Sequence, residues 1–479
     1  MTAGKAAEDW VWPPRYDESY RPPEDQVHWF PRRETMDPQQ RDELVLSRIQ
    51  QVMAYAWDHS SFYRQKWSGA GLEPGDVTSL EAFEQVPVVD KHELRTDQAA
   101  HEPFGSYLCV PPSEVAHING TSGTTGRPTA FGISSRDWSS VANAHARVMW
   151  AMGIRPSDTV LIGSPLALYW GSWGAYIGAE RLGATVFPFG AGVAGQTART
   201  VQWMQQMRVS VFYGTPSYAL RLAEVAREGG VDPRTLGLRS MFFSGEPGAS
   251  VPAIRDRIVE AFDAEVYDSG SMAEVSPWMS LGSDRNAPGV LCWQDLVYTE
   301  VCDPATYRRL PYGSEGTPVY TTLERTSQPM IRLLSNDITR WEAPATDALR
   351  TYPVLPRGIY GRIDDMFVVR GENIYPSAID DVVMSDPGYG GEHRIVISRA
   401  QVMDELTVQV EHRADAENGS VHTWADRLAD RLRTVIGVGA HVVPVRPNTF
   451  DRTDFKARRV IDDRDLVRQL RSDRDGEQG

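Results

Sequence analysis

Cysteine is nearly absent from this chain of 479 residues: only Cys109, Cys292 and Cys302 occur. Their odd number and wide spacing fit a reducing compartment rather than a disulfide framework. No C-x-x-C pair exists, and the ten histidines show no H-x-x-x-H spacing, so no structural zinc is expected. Positive charge is also short. Against 64 Asp and Glu stand 49 Lys and Arg, a net charge of −15. That balance disfavours a general nucleic-acid or anionic-membrane binder, while leaving room for a local basic site that takes a phosphorylated ligand. No apolar run approaches the length that spans a bilayer. The start, "MTAGKAAEDW", lacks the basic and apolar regions of a signal peptide. A cytoplasmic protein with no nucleic-acid or membrane partner is expected.

What is present describes a folded chain. Hydrophobic residues make up 41% and charged residues 24%, and the length exceeds one ordinary core. Fourteen Trp imply aromatic clusters or an aromatic-lined pocket. The Pro- and aromatic-rich opening, "WVWPPRYDESYRPPEDQVHWFPRR", reads as an extended arm laid over a body. A helix is predicted from about Pro38 to Trp67, with Leu44, Ile49, Val52, Met53 and Ala56 near helical spacing. From "TVLIGSP" to "AEVYD", short β-rich runs alternate with helical ones, which predicts a mainly parallel sheet covered by helices. Ligands of such sheets sit at the carboxyl ends of the strands, where "YGTP", "SGEP" and "YDSGSMAE" fall. From about Gly316 longer β-like segments follow ("GTPVYTTLE", "SQPMIRLL"), and then a compact α+β pattern. The fold class is therefore α/β. A large N-terminal domain, residues 1–362, with a β-rich subdomain precedes a small α+β domain, residues 363–479. "RSDRDGEQG" reads as a disordered tail.

The stretch with the most chemical content is "NGTSGTTGRPT", Asn119 to Thr129. By composition it suits a passive linker. Yet "EVAHING" before it and "TAFGIS" after it have strand character, and a hairpin loop of small residues presents N–H groups and hydroxyls to an anion without obstruction. It is not a Walker loop, since G-x-x-x-x-G-K-[ST] is absent.

"TSGTTGRPT" resembles the phosphate-binding loop of adenylate-forming enzymes, the superfamily of acyl-CoA synthetases, peptide-synthetase adenylation domains and luciferases. Arg127 stands where the family usually has lysine. Further segments are similar to that superfamily in the same order: "FFSGEPGAS", "YDSGSMAEVS", "QPMIRLLSNDIT", "GRIDDMFVVRGENIYPSAID" and "DRTDFKARRV". The last two resemble the hinge and lysine loop of its phenylacetate–CoA ligase branch. The resemblance implies a two-step reaction. A carboxylate attacks the α-phosphate of ATP to give an acyl-adenylate and pyrophosphate, and CoA thiol then displaces AMP. ATP, Mg2+ and CoA would be required.

The resemblance also implies roles. Lys456 would bridge the α-phosphate and the acyl carboxylate, a task suited to a compact ammonium; taken alone it reads as a solvated charge beside Arg458 and Arg459. Thr121, Ser122, Gly123, Thr124, Thr125 and Gly126 would grip the β- and γ-phosphates, and Gly245, Glu246, Pro247 and Asp268 would border the adenine. Asp337 would hold the ribose hydroxyls, or else merely cap a turn. Glu274 would act at magnesium, Arg362 would contact the nucleotide, and Asp364 would be the hinge. Tyr169, Trp170, Trp173, Tyr213 and Gly214 are candidate acyl-pocket residues, which suggests a flat aromatic acid; packing is their alternative use. Arg370, Gly371 and Tyr375 would line a CoA tunnel.

Three departures stand out. Gly270 replaces the adenine-stacking Tyr, Ala273 a Ser/Thr, and Leu333-Leu334 a Tyr-Arg pair. A lost base–aromatic stack costs roughly 1–3 kcal/mol unless a neighbour such as Tyr267 compensates. The departures point to specialised (secondary) metabolism. Gly270 and Ala273 also leave open an inactive nucleotide-binding homologue, and since nothing in the sequence fixes the acceptor, a carrier-protein thiol, an amine or an inorganic nitrogen species stays open beside CoA, as do monomer and homodimer. Lys456→Ala is expected to abolish acid-dependent pyrophosphate release, and unchanged release would remove Lys456 from the chemistry.

Overall fold

The computed structural model describes residues 7–8, 11–121, 129–168, 170–190, 196–246, 248–363, 365–370, 372–399, 404–413, 418–452 and 459–464. The expected opening helix is in fact two, Pro38–His59 and Ser61–Gly69. Asp37 caps the first through the N–H groups of Gln39 and Gln40. Ser60 is extended, and its hydroxyl accepts from Tyr63 N at 3.2 Å, so one residue ends a helix and starts the next. Val45, Ile49, Val52, Met53 and Ala56 form the buried stripe.

Eight strands form the main sheet, in the spatial order Val354–Leu355, Ala287–Cys292, Leu281–Asp284, Glu265–Gly270, Ser240–Phe243, Val211–Gly214, Thr159–Ile162 and Thr185–Phe187. The last five are parallel and the first three antiparallel. Successive residues of the central strands go to opposite faces. Leu161, Phe212, Met241 and Phe243 join one core cluster, while Val160, Ile162, Val211, Tyr213 and Phe242 join another. Burial on both faces explains why these strands read as continuous apolar runs. The helices expected between them are present as Trp170–Leu182, Thr197–Gln206, Pro216–Glu228 and Pro252–Phe262.

A second, antiparallel sheet carries Val297–Cys302, Glu315–Thr322, Asp337–Arg340 and Gly361–Arg362. "SQPMIRLL" does not form the long strand its composition suggested. Only Leu333–Leu334 pairs, because Arg332 turns to φ 51° and its guanidinium donates to the carbonyls of Glu84, Val86 and Tyr307. The C-terminal part is a four-stranded mixed sheet, His441–Val445, Asp404–His412, Tyr389–Arg399 and Val460–Asp462, with helices Pro376–Met384 and Asn418–Ile436. The final strand and helix Pro376–Met384 had no distinct sequence signal. No helix among the described residues is long and apolar enough to cross a membrane.

The N-terminal arm is fastened by charge. Tyr16 Oη donates to Glu324 at 2.7 Å, and Trp12 Nε1 to the Leu323 carbonyl at 2.9 Å. Glu34, fully buried, accepts from Arg147 Nε at 2.9 Å and Arg350 Nε at 2.8 Å. Arg147 continues to Asp295 (2.8 Å) and Arg350 to Asp284 (2.7 Å). Burial opposes the charge on Asp295, yet Arg147 and Arg33 hold its carboxyl below the usual range. Arg147→Met would leave Glu34 and Asp295 buried with fewer counter-charges. The expected cost is about 3–5 kcal/mol, seen as a lowered urea midpoint; an unchanged midpoint would rule out a stabilising role.

Candidate active site

Parallel register aligns three strand ends. Gly214 lies opposite Phe243, and Phe243 opposite Asp268, so "YGTP", "SGEP" and "YDSGS" emerge side by side. Gly245 turns with φ 93°, a conformation that favours glycine. Glu246 Oε1 accepts from Ser217 N at 2.7 Å, placing its charge on the N-terminus of helix Pro216–Glu228. Asp268 accepts from the N–H groups of Ser250 and Ser269, each at 3.0 Å, and so ties the "SGEPGAS" loop to the strand end. Asp268 as a residue is only partly buried, but desolvation of its carboxyl pushes it up to about 6.

The glycine-rich loop springs from a true hairpin, Val115–Gly120 against Ala130–Ser134. Its base is closed by Thr121: Thr121 N donates to Thr129 O at 3.1 Å, and Thr121 Oγ1 accepts from Thr129 N at 3.2 Å. A side chain at Gly120 would meet the Thr129 carbonyl at 2.8 Å. Ser122, Gly123, Thr124, Thr125, Gly126, Tyr169, Pro247, Asp364, Gly371 and Lys456 lie outside the described residues, as does the "RSDRDGEQG" tail.

Asp337 and Arg362 are cross-strand partners, with Arg362 Nη1 3.7 Å from Asp337 Oδ1 and Arg362 Nε 3.8 Å from Asp365 Oδ2. Both contacts are long for charged hydrogen bonds. Glu274 is buried, its backbone carbonyl held by Arg325 Nη1 at 2.7 Å. Its Oε1 lies 3.4 Å from Lys91 Nζ, and its Oε2 has no hydrogen-bond partner among the described residues. An under-coordinated buried carboxylate oxygen fits a hard cation, and Mg2+ characteristically takes one or two carboxylates and completes its shell with phosphates and water. No group of three or more His, Cys, Asp or Glu among the described residues is arranged to hold a metal ion, so Glu274 would share Mg2+ with the nucleotide.

Of the candidate acyl-pocket residues, Trp170 and Tyr213 are buried within a core cluster that Trp173 borders. Trp138 and Trp170 ring centroids are 5.4 Å apart, those of Tyr213 and Trp278 6.2 Å, and Trp173 Nε1 donates to the Ala167 carbonyl at 2.8 Å. Tyr213 Oη and Ser244 Oγ are 2.6 Å apart. The aromatic rings therefore fill much of one another's space. Behind them lies fully buried His145, whose Nε2 accepts from Met279 N at 3.3 Å. Burial pushes His145 down to about 3, so the ring is neutral, and that hydrogen bond assigns its proton to Nδ1. Nδ1 has no partner among the described residues. His145, Trp278 and Lys91 were not found from sequence; no local spacing marks them, because they meet the site only through tertiary contact.

At Gly270 an added Cβ would have nothing within 4 Å among the described residues, so a side chain can begin there without a clash. Tyr267 does not fill it. Its ring is buried in the core with its hydroxyl on Glu265 Oε2 at 3.0 Å, three positions and one face away along the strand. Arg370, at φ 53°, turns the hairpin of Phe367–Val369 and Glu372–Ile374, with Nε donating to the Asp404 carbonyl at 3.1 Å. Tyr375 precedes helix Pro376–Met384, so both of these residues sit on the C-terminal part of the chain.

Comparison with known proteins matches these features. The model described as AMP-binding enzyme covers residues 69–320, and that described as AMP-binding enzyme C-terminal domain covers 371–464. Phenylacetate-coenzyme A ligase of Aromatoleum evansii is 32% identical over 427 residues, 88% of this chain and 94% of that one. The enzyme of the same name from Thermus thermophilus is 32% identical, over 90% of this chain and 98% of its own. A crystal structure of 2-hydroxyisobutyryl-CoA ligase in the postadenylation state with 2-HIB-AMP is 58% identical, with 98% and 99% coverage and a TM-score of 0.93. The same ligase with CoA in its thioesterification state, also 58% identical with 98% and 100% coverage, gives 0.75. Gly270→Tyr is expected to be tolerated and to lower the KM for ATP, by roughly 5- to 150-fold on a stacking scale of about 1–3 kcal/mol; an unchanged KM would show that the base lies elsewhere.

Proposed function

This chain belongs to the AMP-binding enzyme family, and from that premise we propose which residues run its reaction and which acid enters it. It is an AMP-forming acyl-CoA ligase that uses ATP and CoA. A free carboxylate resists thiols because its leaving group would be oxide. Attack of the carboxylate oxygen on the α-phosphorus breaks the bond to the bridging oxygen and sends the electron pair to pyrophosphate. Thiolate attack on the resulting anhydride then expels AMP. The protein's part is to bring anions together and meet the charge that develops.

Lys456 is assigned to the α-phosphate and acyl carboxylate, Asp337 to the ribose hydroxyls, Arg362 to the nucleotide, and residues 121–126 to the phosphates. Glu274 is assigned to Mg2+, which when bound neutralises charge on the phosphate oxygens. Residues 1–362 would hold ATP and acid, and residues 363–479 would turn about Asp364 to present Arg370, Gly371 and Tyr375 to CoA. Support for the turn is the better agreement with the postadenylation than with the thioesterification state of one and the same ligase. The cytoplasm, which supplies ATP and CoA, is the proposed location.

The acid proposed is a small branched or 2-hydroxy acid. The observation that carries it is His145: a neutral, buried N–H without a partner among the described residues, behind rings that crowd one another. A substrate hydroxyl would satisfy that donor, and a site built for a hydroxyl discriminates against the analogue lacking it. An aromatic acid is the second reading, favoured by the phenylacetate-coenzyme A ligase relatives at 32% identity. Pyrophosphate release with 2-hydroxyisobutyrate, isobutyrate and phenylacetate, with and without CoA, decides between them. The hydroxy acid is expected to exceed isobutyrate in kcat/KM by about tenfold or more, as one hydrogen bond to a buried group allows. A preference for phenylacetate would overturn this choice of acid and leave the ligase intact.

A further inference from the structure

Lys91 is the one cation paired with the Glu274 carboxylate among the described residues, and nothing in the reaction so far uses it. The pairing is poor for a buried charge. The N–O distance is 3.4 Å, beyond the 2.7–2.9 Å of a strong charge-assisted bond, and Glu274 Oε2 is left without a partner. The Glu274 side chain is 2% exposed and that of Lys91 29%, so the ammonium stands at the rim and the carboxylate inside.

Lys91 is also held by its backbone. It is the first residue of helix Lys91–Ala100, fixed by the reciprocal bonds of Asp90 and Glu93 at 2.8 and 3.1 Å. Two residues earlier, Val89 pairs with the Arg332–Leu334 segment, which leads directly to Asp337. At the helix's other end, Gln98 bonds the N–H and the carbonyl of Ala130, where the glycine-rich loop re-enters its hairpin. One short helix therefore spans from the exit of the phosphate-loop hairpin to the metal carboxylate.

We propose that Lys91 positions the pyrophosphate end of ATP. It neutralises Glu274 before nucleotide arrives, and turns to the β- and γ-phosphate oxygens once Mg2+ takes the carboxylate. A long flexible ammonium can change partner at little cost while its backbone stays fixed. In the adenylation step the α-phosphorus gains the acyl oxygen and loses the bridging oxygen. The electron pair that leaves with pyrophosphate then develops its charge beside Lys91.

The proposal rests on Glu274 being the metal carboxylate, so both residues are tested. In the reverse reaction, ATP formation from acyl-adenylate and pyrophosphate, Lys91→Met is expected to raise the KM for pyrophosphate at least tenfold. Its KM for acyl-adenylate should change less than twofold, and Lys91→Arg should recover most of the loss. Without nucleotide, Lys91→Met should bind Mn2+ alone more tightly than the parent enzyme by electron paramagnetic resonance, since the competing ammonium is gone. Lys91→Gln serves in both assays should the methionine variant not fold. Parent-like values for pyrophosphate KM and Mn2+ affinity in these variants, with Glu274→Gln inactive, would overturn the role of Lys91 alone. Full adenylation by Glu274→Gln would overturn the metal assignment beneath it.

Discussion

A carboxylate without access to water, Glu34, holds together pieces of chain that are remote in sequence. It receives the N–H of Phe30 from the N-terminal arm, Arg147 from helix Ser135–Ala151, and Arg350 from the loop before Val354–Leu355. Those arginines reach on to Asp295 and Asp284, and Tyr352 donates to Asp295 at 2.7 Å. A charge in such surroundings is tolerable only while every partner is in place. The arm, the helix and the antiparallel end of the main sheet are thereby fixed to one another. Two parts of the active site inherit that rigidity. Helix Ser135–Ala151 begins where the glycine-rich hairpin ends and carries His145, while Leu281–Asp284 is paired with Glu265–Gly270.

On this frame the site is assembled from strand ends rather than from one rigid motif. Gly214, Phe243 and Asp268 share a register line, so a shift of any one strand would carry its loop out of line with the other two. Asp268 shows the cost of the arrangement: its carboxyl organises the "SGEPGAS" loop through two backbone N–H groups, yet desolvation leaves it easier to protonate than an ordinary aspartate. Glu274 shows the complementary case. Its backbone is fastened by Arg325 while half of its carboxylate lacks a bond, which is the pattern of a group held ready for a ligand rather than one spent on stability.

Much of this was legible in the sequence because it is local. Alternating apolar runs gave the parallel strands and their helices, and small residues between two β-like runs marked the hairpin loop. Asp337 and Arg362, separated in sequence, do meet, as cross-strand partners. The unread part is non-local. Lys91 lies 183 positions from Glu274, and Arg147 lies 113 from Glu34 and 148 from Asp295, so no spacing rule links them. "SQPMIRLL" misled because its β-forming residues are overruled by the buried arginine in its middle, which needs three carbonyls and turns the chain to reach them. The break at Ser60 was missed since the apolar stripe runs on through it; only the hydroxyl cap reveals two helices.

The proposed rotation of the C-terminal part is compatible with how that part is attached. Polar contacts that cross to it include Arg452 with Glu224 at 3.3 Å and Arg357 with Asp381. Arg357 is half exposed, and ion pairs of that kind contribute about 0–1 kcal/mol each. Within the C-terminal part, by contrast, Arg452 binds fully buried Glu411 at 2.7 Å and Arg459 binds Glu392 at 2.6 Å. The polar pairs that cross to the C-terminal part are more exposed than those inside it, although buried apolar residues of both parts join one core cluster. A body attached in this way can exchange its outer ion pairs for others without loosening its own interior. The Lys91–Glu274 contact, at 3.4 Å and with the ammonium at the rim, is likewise a resting pair that a ligand can displace without disturbing the buried frame around Glu34.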